Sequence, residues 1–294
     1  MKALQILAIA LTAFPAVSAA QQPTTQQTPQ TTTVETKTTK LLRAGSDLVG
    51  STLVNAKNEP LGKVEDLIIH PKGDIAFIEF SGAGALDTGT ERFPVPWSAL
   101  ERNEHNQLVL ATKPEDFAQK KHYTKRPKLT DMDWWKEADR AYAKLTKANA
   151  SPVEASVSLA PGKMLYLASD LRTRTIENAE GEKIATMHEL VIDPRTGRVA
   201  YAVLSVGGSA GTGEKMIAVP WEALESMPDK SNPELERLTL GTSREQLEKA
   251  PEFQATTEGW VKASEPDYVL HVYEYYSIPP YTVIEKVTEP KPKQ

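Results

Sequence analysis

The sequence predicts a mainly β protein built from two tandem copies of one small β-barrel, joined by a short helical linker and preceded by a disordered segment. Three observations carry this. One pattern of apolar and turn residues is written twice, about 123 residues apart; each copy reads as short strands separated by turns; and cysteine is absent from all 294 residues. A chain of this length suggests about two domains. Its composition, 40% hydrophobic and 25% charged, is enough to build cores by apolar burial alone.

The first twenty residues read as an export signal. Lys2 supplies the positive end, Leu4 to Val17 form an apolar run, and Ser18-Ala19-Ala20 suits cleavage after small residues. The run is short for a membrane span, and Thr12 and Pro15 weaken it further. Export to the periplasm or cell exterior is therefore expected, with no transmembrane segment in the mature chain. Residues 21–40 are almost entirely Gln, Thr and Pro, too poor in apolar surface to offset the entropy of ordering. A disordered tether is expected there.

Lack of cysteine removes disulfides, thiol nucleophiles, acylated lipid anchors and Cys-ligated metals. A net charge of -5 argues against a nucleic-acid partner.

The repeat is explicit in the residues. Asp47-Leu48 recurs as Asp170-Leu171, Asn55-Ala56 as Asn178-Ala179, and Leu67-Ile68-Ile69 as Leu190-Val191-Ile192. One residue is inserted where Pro71-Lys72-Gly73 becomes Pro194-Arg195-Thr196-Gly197. After it, Ala76-Phe77 meets Ala200-Tyr201, and Val95-Pro96-Trp97 meets Val219-Pro220-Trp221. Runs around Ile75–Phe77 and Val199–Leu204 are β-formers, and the Pro/Gly turns before them predict hairpins. Turns at 55–59 and 178–181 set off an earlier short strand in each copy.

In order and twice over, the opening Asp-Leu, the Asn-Ala-x-x-Glu turn, the Leu-Ile/Val-Ile strand, the Pro/Gly hairpin and the Val-Pro-Trp-x-Ala-Leu segment resemble the PRC-barrel family. The resemblance spans about 41–117 and 159–247. It implies a six-stranded barrel in each copy, used in the family for binding and positioning rather than catalysis. It also brings an alternative role by analogy with the reaction-centre H subunit: an accessory or assembly factor of a membrane electron-transfer complex. The expected organisation is a signal peptide at 1–20, a tether at 21–40, a first barrel at 41–125 and an aromatic linker at 126–158. A second barrel at 159–255 and an aromatic segment and tail at 256–294 complete it.

Candidate chemistry is sparse. The glycine-rich stretches at 82–89 and 207–213 lack a following helix and a Gly-Lys-Thr, so they read as loops and not as phosphate cradles. The five histidines, His70, His105, His122, His188 and His271, have no metal-ligand spacing and are expected at the surface. Glu65-Asp66 and His188-Glu189 alternate with apolar residues and are expected to face solvent. Trp97 and Trp221 are expected to plug barrel ends. No catalytic, cofactor-binding or metal residue is assigned. Aromatics outside the barrels, Trp134, Trp135, Trp260, Tyr273, Tyr275 and Tyr276, either meet a partner or pack across the barrels, since either use suits large side chains with a polar handle. The expected function is a non-enzymatic, exported binding or scaffold protein with an unidentified protein partner in the cell envelope.

Overall fold

The computed structural model describes residues 42–83, 88–113, 116–117, 120–145, 163–207, 214–229 and 236–280. The proposed signal peptide and tether, half of the first glycine-rich stretch, most of the second, the end of the expected linker and the end of the tail lie outside these residues.

The first copy contains β1 (Arg43–Ala44), α1 (Gly45–Leu48), β2 (Thr52–Val54), β3 (Pro60–Ile69), β4 (Ile75–Gly82), β5 (Phe93–Pro96), β6 (Leu100–Arg102) and β7 (Leu108–Leu110). A linker helix, α2 (Met132–Arg140), comes next. The second copy repeats the series as β8 (Tyr166–Leu167), α3 (Ala168–Leu171), β9 (Thr175–Glu177), β10 (Lys183–Asp193), β11 (Arg198–Val206), β12 (Lys215–Pro220), β13 (Leu224–Pro228) and β14 (Glu236–Leu240). Three helices close the described chain: α4 (Arg244–Glu248), α5 (Thr257–Lys262) and α6 (Pro266–Tyr275).

The two sheets have one topology. Hydrogen bonding runs β5-β4-β3-β2-β7-β6 in the first and β12-β11-β10-β9-β14-β13 in the second. Pairing is antiparallel except between β2 and β7 and between β9 and β14, which are parallel. β5 and β6 are the two ends of their path, yet only the short 3-10 turn Trp97–Ala99 separates them in the chain. Trp221–Ala223 does the same between β12 and β13. Three residues cannot cross an open sheet, so each sheet curls into a small barrel. The long strands bend at bulges: β3 shifts register between Val64 and Asp66, and β10 between Met187 and Glu189. An extra residue on one strand raises local curvature, as closing a narrow barrel requires.

The seventh strand of each sheet comes from the other copy. β1 pairs with β10, placing Arg43 opposite Ile192 and Ala44 opposite Val191. β8 pairs with β3, placing Ile68 opposite Leu167 and Ile69 opposite Tyr166. The halves are also clasped at their hairpins: Ile75 N–H donates to the Gly197 carbonyl (2.7 Å) and Val199 N–H to that of Gly73 (2.8 Å). Apolar packing is continuous across this junction, with Leu48, Leu67 and Tyr142 in one buried cluster with Leu171, Leu190 and Leu204.

Trp97 and Trp221 pack with the core and also reach across to the other copy. Each lies on the hairpin glycine of the opposite copy, and the Trp221 indole N–H donates to the Pro71 carbonyl (2.8 Å). Gly73 and Gly197 have φ of +94° and +70°, where a side chain is strained, and a Cβ on Gly197 would lie 2.1 Å from Trp97 Cδ1. Gly197→Ala should cost about 2–4 kcal/mol in urea unfolding, combining backbone strain with overpacking. Adding Trp97→Ala should recover part of that loss, because it removes the clash and leaves only the strain.

Candidate interaction surface and the buried polar groups

The outer face of each barrel is roofed by the linker or closing helices together with residues at the exchanged strand. On the first, Ile68, Ala76 and Phe77 are covered by Tyr123, Trp135, Leu165 and Leu167. On the second, the equivalent Val191, Ala200 and Tyr201 are covered by Leu42, Phe253, Ala263, Val272 and Tyr273. An exposed β-sheet face this apolar would associate, so the helices that hide it are needed for a discrete molecule.

This roof takes up two of the six aromatic residues. Trp135 on α2 is fully buried; its indole N–H donates to the Lys128 carbonyl (3.0 Å) and its ring packs 5.4 Å from Phe77. Tyr273 on α6 is likewise buried, its hydroxyl donating to the Ala200 carbonyl (2.6 Å). These two hold helices to sheets and are not available to a partner. Trp134 is half-buried and stacks edge-on to Trp135 at 4.9 Å, with the Lys121 ammonium 5.0 Å from its ring. Trp260 meets Phe253 edge-on at 4.9 Å. Tyr276 is half-buried against Tyr275, and burial pushes its hydroxyl well above the ordinary tyrosine range. Tyr275, 38% exposed, is one of two large apolar side chains open to solvent among the described residues; Met227 is the other. Of the six aromatic candidates, Tyr275 is the most exposed.

The acidic groups of the long strands depart from expectation. Glu65 and His188 face solvent, but Asp66 and Glu189 are buried. The bulges cause this: alternation stops at the register shift, and the next residue turns inward. Asp66 accepts from the Leu67 N–H (2.8 Å), from the Ser169 N–H (3.2 Å) and from the Ser169 hydroxyl, tying β3 to α3 of the other copy. Glu189 accepts from Leu190 N–H (2.9 Å) and lies 3.9 Å from Arg172.

His70 is also buried, unlike the other four histidines. Its Nδ1 accepts from Lys72 N–H (3.0 Å), and in the second copy Asp193 accepts from Arg195 N–H (2.9 Å) at the same place in the hairpin. Two different side chains thus cap one turn. Glu236 accepts from the Tyr166 hydroxyl and lies 3.8 Å from Lys163.

One buried acid gives no hint of itself in strand alternation. Glu79 lies within β4, where the second copy has Val203. It takes both Nε and Nη2 of Arg126 and the Tyr123 hydroxyl. Two signals in the sequence point to it: an acid where the repeat has Val, and the basic run from Lys120 to Lys128, which contains no acid. Among the described residues, no group of three or more His, Asp or Glu could hold a metal ion, and no helix is long and apolar enough to cross a membrane.

Residues 42–117 and 164–232 each match the PRC-barrel domain. Comparison with curated proteins gives no match.

Trp135→Ala should destabilise the protein by about 3–5 kcal/mol, whereas Tyr275→Ala should change stability by less than about 1 kcal/mol, both read by chemical denaturation. Burial raises the Asp66 carboxyl above its ordinary 3.8, although the Ser169 and Leu67 donors oppose the rise. The folded state therefore holds that proton more tightly than the unfolded state, and stability falls as pH rises from about 4 through the raised value. Asp66→Asn should flatten this slope, which for one proton is at most about 1.4 kcal/mol per pH unit. Denaturant midpoints measured across pH 4–7 check it.

Proposed function

From a chain that belongs to the PRC-barrel family and carries its domain in two tandem copies, we propose a non-enzymatic binding scaffold, exported to the cell envelope, that presents both barrels to a protein partner as one rigid body. The observation that carries this reading is how the buried acids are employed. Asp66 ties one barrel to a helix of the other, Glu79 is neutralised by Arg126, and Glu236 holds Tyr166. Each serves as a fastener of the fold, an arrangement suited to holding a surface still rather than to moving protons.

Rigidity has a direct use in binding. A surface already ordered loses little entropy on association, so more of its contact energy appears as affinity. Export is supported by the positive end, apolar run and small residues of the first twenty positions. The Gln/Thr/Pro-rich stretch after them has the composition of a tether.

The test uses the mature chain in native envelope fractions, with chemical crosslinking and capture. A specific partner should be retained by the intact protein and lost from a Tyr275→Ser variant of unchanged thermal stability. Turnover of ester, peptide, phosphate or glycoside substrates by the purified protein would contradict the reading, as would capture indifferent to Tyr275.

A further inference from the structure

Glu79 needs a counterion because an isolated carboxylate in a β-sheet interior is strongly disfavoured, and Arg126 supplies one. That pair accounts for the Nε and Nη2 edge of Arg126. It leaves the Nη1 edge outside, and the Arg126 side chain is 37% exposed.

Beside it stands a second guanidinium. Arg92 is joined to Tyr123 by a two-way backbone bridge, with Arg92 N–H donating to the Tyr123 carbonyl (2.8 Å) and Tyr123 N–H to that of Arg92 (3.0 Å). The bridge fixes the basic segment against the strand region that leads into β5. Arg92 Nη1 donates to the Glu91 carbonyl (3.1 Å), and Nη2 comes only within 4.0 Å of Glu65, so no carboxylate grips this cation closely. A cavity of about 390 Å³ opens here, lined by Glu79, Thr90, Arg92, Tyr123, Thr124 and Arg126. In the run from Lys120 to Lys128, Lys120, Lys121 and His122 are engaged by the Ala141 carbonyl, Glu137 and Glu91, while Lys125 is exposed. In a chain of net charge -5 this concentration of cations is local.

We propose that this cavity binds a phosphate group, as a phosphate ester or as the headgroup phosphate of a lipid. Two arginines and two threonines line the cavity, and guanidinium and hydroxyl donors suit a tetrahedral oxyanion with acceptors in every direction. Glu79 does not repel the anion, because Arg126 already neutralises it. What remains at the cavity is the guanidinium of Arg92, whose nearest carboxylate is Glu65 at 4.0 Å. The inference goes beyond the scaffold reading and does not depend on it.

The probes are inorganic phosphate, followed by isothermal titration at low ionic strength, and vesicles of phosphatidylcholine with or without phosphatidylglycerol, followed by cosedimentation. Arg126→Gln would strand Glu79 and could unfold the barrel, so the variants are Arg92→Gln and Thr90→Val, each with its thermal midpoint measured. Saturable phosphate binding weakened about tenfold or more by Arg92→Gln, at unchanged midpoint, is the expected result. Cosedimentation with the anionic vesicles alone that Arg92→Gln abolishes assigns the lipid as source. Phosphate binding without cosedimentation assigns a soluble ester. No binding to either probe, or binding that neither Arg92→Gln nor Thr90→Val weakens, overturns the proposal.

Discussion

Everything in this structure depends on two short strands changing places. β1 is two residues long and β8 no longer, yet each completes the sheet of the other copy. A two-residue strand contributes little by itself. Its effect comes from the helical turn attached to it: α1 and α3 carry Leu48 and Leu171 into the shared core, and Ser169 meets Asp66 across the junction. Sequence neighbours are thereby divided between sheets: β1 and β8 each begin one copy and join the sheet of the other. The Trp-on-glycine contacts and the reciprocal hairpin bonds repeat the exchange at a second place. Two barrels fastened in this way lose the independence that tandem domains on a linker would keep.

Where the copies diverge, the surroundings explain it. Outer-face positions of the first sheet meet a basic segment and α2, and Glu79 is tolerated there because Arg126 and Tyr123 reach it. The same position of the second sheet lies under helices rich in apolar residues, and Val203 packs among them. His70 and Asp193 differ in chemistry yet perform one task, accepting a hydrogen bond from the backbone two residues on.

Much of the fold was legible in the sequence because the repeat fixes the apolar positions twice, and two agreeing readings are stronger than one. Strands around Leu67, Phe77, Leu190 and Tyr201 follow from composition and turn chemistry alone. The illegible part is long-range. Nothing local distinguishes Arg43-Ala44 pairing with its own sheet from pairing with the other. Trp97 and Trp221 read as core residues, and nothing local shows that each also meets the hairpin glycine of the other copy. Asp66 and Glu189 defeat the alternation argument because a bulge resets the period without changing residue type. The aromatic candidates were divided by the same limit: Trp135 and Tyr275 are both aromatic residues on helical segments outside the barrels, and only the sheet beneath Trp135 makes it structural.

Reciprocal exchange is tested most directly by native-state hydrogen exchange at the exchanged strands. If the barrels form one cooperative unit, the amides of Ala44 and Leu167 should exchange only with global unfolding, at the protection of central residues such as Val191 and Ile68. Rapid exchange at Ala44 and Leu167 while β3 and β10 remain protected would show the strands to be loosely attached, and the two barrels would not be a single fastened body.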